Sequence, residues 1–217
     1  MYTSLALCKC CRLFLPTNTI IVFDIHGVLF KCSYWKMIKC ALSIPNKRII
    51  FFLFFKPKFW LSIYRTYRQY KTPEAFFIML AKQYPQINKF KKSFIKIMNL
   101  QKPNKQIFKI IKNLKLNGFK LDILSNIGNE TFENLKKKFP AVFKNFKNAH
   151  VIKRSNNFIS KPNTEAFEPY ANLSDKNIIF IDDKKANVNA AKESGLYGIY
   201  FSSAQNLVNE FKRLGIL

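Results

Sequence analysis

Ile20-Ile21-Val22-Phe23-Asp24-Ile25-His26-Gly27-Val28-Leu29 opens as an apolar run, ends that run in a carboxylate and then turns at a glycine. Four consecutive β-branched or aromatic residues without polar alternation read as a strand buried on both faces, as in a parallel sheet covered by helices. Open α/β sheets bind their ligands beyond the carboxyl ends of their strands, which puts Asp24 at the mouth of a site. An Asp in that position can equally do no more than cap the next helix. The choice between the two depends on what the rest of the chain brings to the same edge.

A second run, Ile178-Ile179-Phe180-Ile181, ends in the adjacent acids Asp182 and Asp183 and leads into Asn187, Ala190, Ala191 and Gly195. A strand over 119–124 delivers Ser125 and Asn126, and Ser160-Lys161-Pro162 precedes the acidic strand. Taken in order with Asp24, these stretches resemble the four motifs of the haloacid dehalogenase-like (HAD) hydrolase superfamily. Strand-Ser and strand-Asp are each common, whereas four such motifs in order on alternating elements are not. The resemblance covers nearly the whole chain beyond Thr17. It implies an α/β fold, a Rossmann-like parallel sheet core with an inserted α-helical cap. The expected division is an N-terminal extension over 1–17, the core over 18–30 and 103–217, and the helical cap over 31–102.

Hydrophobic periodicity supplies the helices of that core. Ile107, Ile110, Ile111 and Leu114 share one face of a helix over 103–117 that ends at Gly118, a residue suited to a helix C-terminus. Further helices are expected over 130–139 and 164–170 and around Leu207, Phe211 and Leu214, with strands over 149–152 and 198–201. His150 reads as a surface histidine. In the insert, Phe76, Phe77, Leu80 and Tyr84, then Phe90, Phe94, Ile97 and Met98, recur at helical spacing, and Thr72-Pro73-Glu74 opens a helix. The stretch from Arg48 to Trp60 is aromatic with basic residues at its ends, and Arg65 and Arg68 follow. It reads as packing within the insert, with an anionic lipid surface as the alternative.

The 217 residues are 48% hydrophobic, enough for one domain with a proper core. Lys plus Arg number 37 against 12 Asp plus Glu, a net charge of +25 that favours anionic partners. The lysines are scattered from Lys31 to Lys212, which argues against a dedicated nucleic-acid surface and leaves only salt-sensitive, non-specific attraction. All five cysteines lie early, at Cys8, Cys10, Cys11, Cys32 and Cys40, with no paired C-x-x-C spacing, so reduced thiols are expected rather than a disulfide framework or zinc site. Acylation of the N-terminal cysteines is a further membrane-tethering route. Residues 1–15 lack the basic start and long apolar centre of a secretory signal, no apolar run is long enough to span a bilayer, and a cytoplasmic protein is expected. Oligomeric state is not legible.

Two acids beside Asp24 across a sheet edge repel one another unless a cation lies between them, and a hard divalent ion such as Mg2+ is the economical one. The resemblance implies the remaining roles. Asp24 is the nucleophile of a phosphatase acting on a small phosphorylated substrate. The Ser125 hydroxyl and the backbone N–H of Asn126 hold phosphate oxygens, and Lys161 offsets the charge of nucleophile and phosphoryl group. Magnesium is held by Asp24, the backbone carbonyl of His26 and Asp182, with Asp183 as a second ligand or an outer partner of the ion. The chain departs from the phosphatase pattern at His26, where a second Asp usually serves as general acid and base. An imidazole can exchange a proton near neutral pH. The departure keeps two other readings open, a dehalogenase-type hydrolase and a weakly active or inactive protein that binds a phosphorylated ligand, a membrane or nucleic acid.

Overall fold

The apolar run that opens the reading forms β1 (Thr19–Phe23), the central strand of the sheet. A computed structural model of the chain describes residues 14–32, 58, 61, 73–93, 100–153 and 159–217. The expectations for Cys8, Cys10, Cys11 and Cys40, for Arg65 and Arg68, for Phe94, Ile97 and Met98, and for residues 48–60 other than an exposed Lys58 lie outside the described residues.

The other strands are β2 (Phe30–Cys32), β3 (Gln101–Pro103), β4 (Lys120–Gly128), β5 (Ala149–Ile152), β6 (Asn177–Asp182) and β7 (Tyr197–Tyr200). Five of them form one parallel sheet in the order β5-β4-β1-β6-β7. β1 is hydrogen-bonded on both sides, with Ile21 level with Leu121 of β4 and Ile179 of β6. Side chains alternate across each strand. Ile21, Phe23, Leu121, Ile123, Ile179 and Ile181 therefore enter one buried cluster, and Val22, Leu124, Ile178 and Phe180 enter another. That double burial is why these strands read as continuous apolar runs rather than alternating ones.

Helices connect the strands. Those that lie wholly within the described residues are α1 (Pro73–Gln83) in the insert, α2 (Lys105–Leu116) before β4, α3 (Asn129–Lys138) and α4 (Pro140–Phe143) before β5, α5 (Glu168–Ala171) before β6, α6 (Lys185–Glu193) before β7, and α7 (Ala204–Arg213) at the end. α2 buries Ile107, Ile110, Ile111 and Leu114, and the Gly118 N–H closes its end by donating to the Lys115 carbonyl. Gly198 on β7 has a packing reason, since a Cβ there would lie 2.7 Å from the Val188 carbonyl oxygen of α6. β2 and β3 pair antiparallel at the base of the insert. Beyond them the insert carries α1 and a 3-10 turn, Pro85–Phe90. No helix among the described residues is long and apolar enough to cross a membrane.

Three expectations need correction. The strand expected over 119–124 runs on to Gly128 through a shift of register between Ser125 and Gly128, because Ile127 is still buried. The helix expected over 164–170 is a 3-10 turn, Thr164–Phe167, followed by the single turn α5; Pro169 lacks the N–H that a continuous helix would use. His150 is half-buried, its ring edge-on to Tyr170 at 5.2 Å between centroids, because β5 is covered on that face by the segment carrying α5.

Candidate active site

Three neighbouring strands deliver polar residues to one sheet edge. Asp24 follows β1, Ser125 and Asn126 lie near the end of β4, and Asp182 ends β6 with Asp183 next to it. The Asp24 N–H donates to the Ile181 carbonyl at 2.9 Å, which continues the β1–β6 ladder one step and brings Asp24 beside Asp182. Asp24 is 6% exposed and Asp182 is fully buried. Two carboxylates withdrawn from water at this spacing require a cation between them.

Lys161 supplies it. Its ammonium donates to Asp24 Oδ1 at 3.0 Å, to Asp182 Oδ2 at 2.7 Å and to the Leu124 carbonyl at 2.7 Å, so each of its three donors is used. It also stands over the Phe180 ring, 4.8 Å from the centroid. Its backbone is held from both sides by one amide: Asn126 donates through Nδ2 to the Lys161 carbonyl at 2.6 Å and accepts through Oδ1 from the Lys161 N–H at 2.9 Å. Asn126, expected to serve through its backbone, thus carries a side-chain function as well. Asp182 is bound on both oxygens, Oδ2 also accepting from Asn187 Nδ2 at 2.9 Å and Oδ1 from the Lys184 N–H at 2.9 Å. Burial and the neighbouring Asp24 push the Asp182 carboxyl upward, while Lys161 and Asn187 act against that rise.

Asp183 differs from Asp182. It is half-buried, and its Oδ1 has no hydrogen-bond partner among the described residues. Burial first, then Asp24 and Asp182, raise its carboxyl above the ordinary range. Gly27 makes room for it. At φ +86 the turn after Asp24 is in the left-handed region, and a Cβ on residue 27 would overlap Asp183 Oδ2. Oxygens of Asp24, Asp182 and Asp183 all lie within 4.8 Å of one another. Several hard carboxylate donors, one with an unpartnered oxygen, suit a small divalent cation such as magnesium. The Ser125 hydroxyl is buried and without a hydrogen-bond partner among the described residues. A cavity of about 480 Å³ begins at Ser125 and Asn126 and extends past His150 and Lys153.

His26 is partly buried in the same turn. Burial lowers its imidazole pKa, Asp24 opposes that, and Lys184 and Lys161 add to it. Its Nε2 meets the side-chain amide of Gln101, which enters from β3. The turn itself is closed by the Gly27 N–H to the Phe30 carbonyl and the Phe30 N–H to the Ile25 carbonyl, each 2.8 Å.

No protein-family model and no curated protein matches the sequence. Solved structures do match its three-dimensional arrangement. The magnesium complex of the HAD-family enzyme BT-2542 from Bacteroides thetaiotaomicron aligns with a TM-score of 0.61 at 17% identity, over 90% of this chain and 98% of that one. An L-2-haloacid dehalogenase from Xanthobacter autotrophicus, with chloropropionic acid covalently bound, gives 0.58 at 16% identity over 92% and 84%. A hydrolase from Streptococcus pneumoniae TIGR4 gives 0.56 at 15% identity over 90% and 98%.

The chain has the HAD-like fold.

Within the HAD-like sheet edge, Asp24, Ser125, Asn126, Lys161, Asp182 and Asp183 are brought together, with His26 beside them. Gln101 and Asn104 are site-supporting residues that the sequence did not reveal. They act on the turn after Asp24 across 75 and 76 positions, and no local pattern marks them. Asn187 was visible as part of a pattern, but its bond to Asp182 was not.

Proposed function

We propose that this chain is a magnesium-dependent phosphatase that hydrolyses a small phosphomonoester through an aspartyl-phosphate on Asp24. The observation that carries the reading is the convergence of three carboxylates within 4.8 Å at the strand ends. Attack on carbon asks for one nucleophilic carboxylate, and Lys161 already bridges Asp24 and Asp182, whereas a third carboxylate with an unpartnered oxygen beside that pair asks for a divalent ion. Crystals of BT-2542 contain magnesium together with inorganic phosphate, which supports the same choice.

Asp24, Asp183, Asp182 and the backbone carbonyl of His26 would hold the ion. When bound, magnesium supplies positive charge that offsets the negative charge of the phosphoryl oxygens. The residues of the chain do the rest. The Asp24 carboxylate attacks phosphorus in line; the bond from phosphorus to the ester oxygen breaks, and the departing alcohol takes a proton. Water then attacks the aspartyl-phosphate, loses its proton and restores Asp24. Lys161, fixed by Asn126, lies against the nucleophile and offsets its charge, while Ser125 has a hydroxyl to give to a phosphoryl oxygen. His26 is the candidate for both proton transfers. We assign the cavity that begins at Ser125 and Asn126 to the remainder of a small substrate, and the insert over 31–102 to a cap on the core, consistent with the approach of α1 to β4.

The test is phosphate release from an aryl phosphate and a panel of small phosphomonoesters, with and without magnesium. Wild type should release phosphate only with magnesium, and Asp24→Asn should abolish it. Halide release from a 2-haloacid without magnesium would replace this reading with carbon–halogen hydrolysis. Phosphate release by His26→Asp but not by wild type would replace it with a phosphate-binding role.

A further inference from the structure

The return of the chain from the insert reaches into the turn that carries His26. Gln101, the first residue of β3, is only 3% exposed, and its amide nitrogen faces Nε2 of His26. A strand pairing and two further hydrogen bonds hold that approach in place. β3 is paired with β2, with Gln101 level with Cys32; the Asn104 N–H donates to the Leu29 carbonyl at 2.9 Å; and Asn104 Nδ2 donates to the Val28 carbonyl at 3.1 Å. Residues 101–104 are thus stitched to residues 26–32 by backbone and side-chain bonds together.

An amide nitrogen only donates, so the imidazole nitrogen it meets must present a lone pair. With Gln101 donating to it, neutral His26 would keep Nε2 bare and carry its proton on Nδ1. We propose that Gln101 is the positioning residue for His26: it fixes the orientation of the ring and the nitrogen that carries its proton, and so makes the return strand of the insert part of the active site. The consequence for turnover rests on the phosphatase reading, while the positioning itself does not. A ring free to turn would offer either nitrogen to a reacting group, and misplacement of a catalytic group on the scale of about 1 Å can cost on the order of a hundredfold in rate.

The chain has two histidines, so selective 15N labelling of histidine gives two imidazole signatures, and a His150→Phe background leaves that of His26 alone. Protonated and bare ring nitrogens resonate far apart, which makes the tautomer directly readable at mildly alkaline pH. The parent should show a single tautomer with the proton on Nδ1. Gln101→Met, similar in shape but without donors, should show averaging between tautomers. Gln101→Glu presents only acceptors and should move the proton to Nε2; it serves alone should the Met variant fail to fold. An unchanged signature in Gln101→Met, or a proton that stays on Nδ1 in Gln101→Glu, would overturn the proposal. In phosphate release with magnesium, Gln101→Met should lower kcat on the order of tenfold with KM little changed. If wild type releases no phosphate, the phosphatase reading fails and the tautomer measurement still decides the role of Gln101.

Discussion

Lys161 is the residue on which the electrostatics of the site turn. It is 2% exposed and holds together two carboxylates that are themselves buried. Removing one member of a buried ion pair leaves the other charge unpaired, at a cost of about 3–5 kcal/mol. Lys161→Met should therefore lower unfolding stability by about that amount without magnesium, measured by urea denaturation, and added magnesium should recover part of it. Gly27 gives a second prediction. Ala there meets both a positive φ and the Asp183 carboxylate. Gly27→Ala should weaken magnesium binding measured by calorimetry, because on the proposed reading the displaced Asp183 carboxylate would help to hold the ion, and should lower the thermal midpoint through the positive φ. The legibility of these residues in the sequence was uneven for a physical reason. Asp24, Asp182 and Asp183 were readable because each ends an apolar run. Lys161 was readable only from its order among the other motifs, since nothing local distinguishes a lysine bonded to two carboxylates from one in water.

At the scale of elements, β6 and β1 were readable because burial on both faces leaves no polar alternation to confuse them. β2 and β3 were not, being three residues each, too short to show a period, and joined by pairing across the whole insert. The contact of β7 with α6 is testable. Gly198→Ala pushes a Cβ toward the Val188 carbonyl, a backbone atom that cannot swing away as a side chain would. A loss of about 1–3 kcal/mol is expected in denaturant unfolding, with little change in the denaturant slope. β5 contributes a pH dependence through His150. Burial lowers its pKa, Asp122 opposes and Lys153 adds to the lowering, so the unfolded chain takes up the proton before the folded one does. Its contribution to stability is complete above the ordinary histidine value of about 6.5 and is lost as pH falls from there through the lowered folded value. His26 shifts in the same direction. Unfolding midpoints compared on either side of that value should therefore fall on acidification, and His150→Phe should fall by less.

The whole molecule carries +25, and mutual repulsion of that charge opposes the compact state. Exposed charges are screened over roughly 8–10 Å at about 0.1–0.15 M salt, so the thermal midpoint should rise as sodium chloride is added from low ionic strength to that range. A flat response would mean that the lysines are already compensated. The same charge suits a phosphorylated substrate, but the site owes its chemistry to the few buried groups at the sheet edge rather than to the net charge.

The most direct test of the central claim is to quench wild type with acid during turnover of an aryl phosphate with magnesium and weigh the peptide containing Asp24. A phosphoryl group on that peptide, absent in Asp24→Asn, is the predicted result. Phosphate release that continues in Asp24→Asn, or turnover by wild type with no phosphoryl group on that peptide, would contradict it.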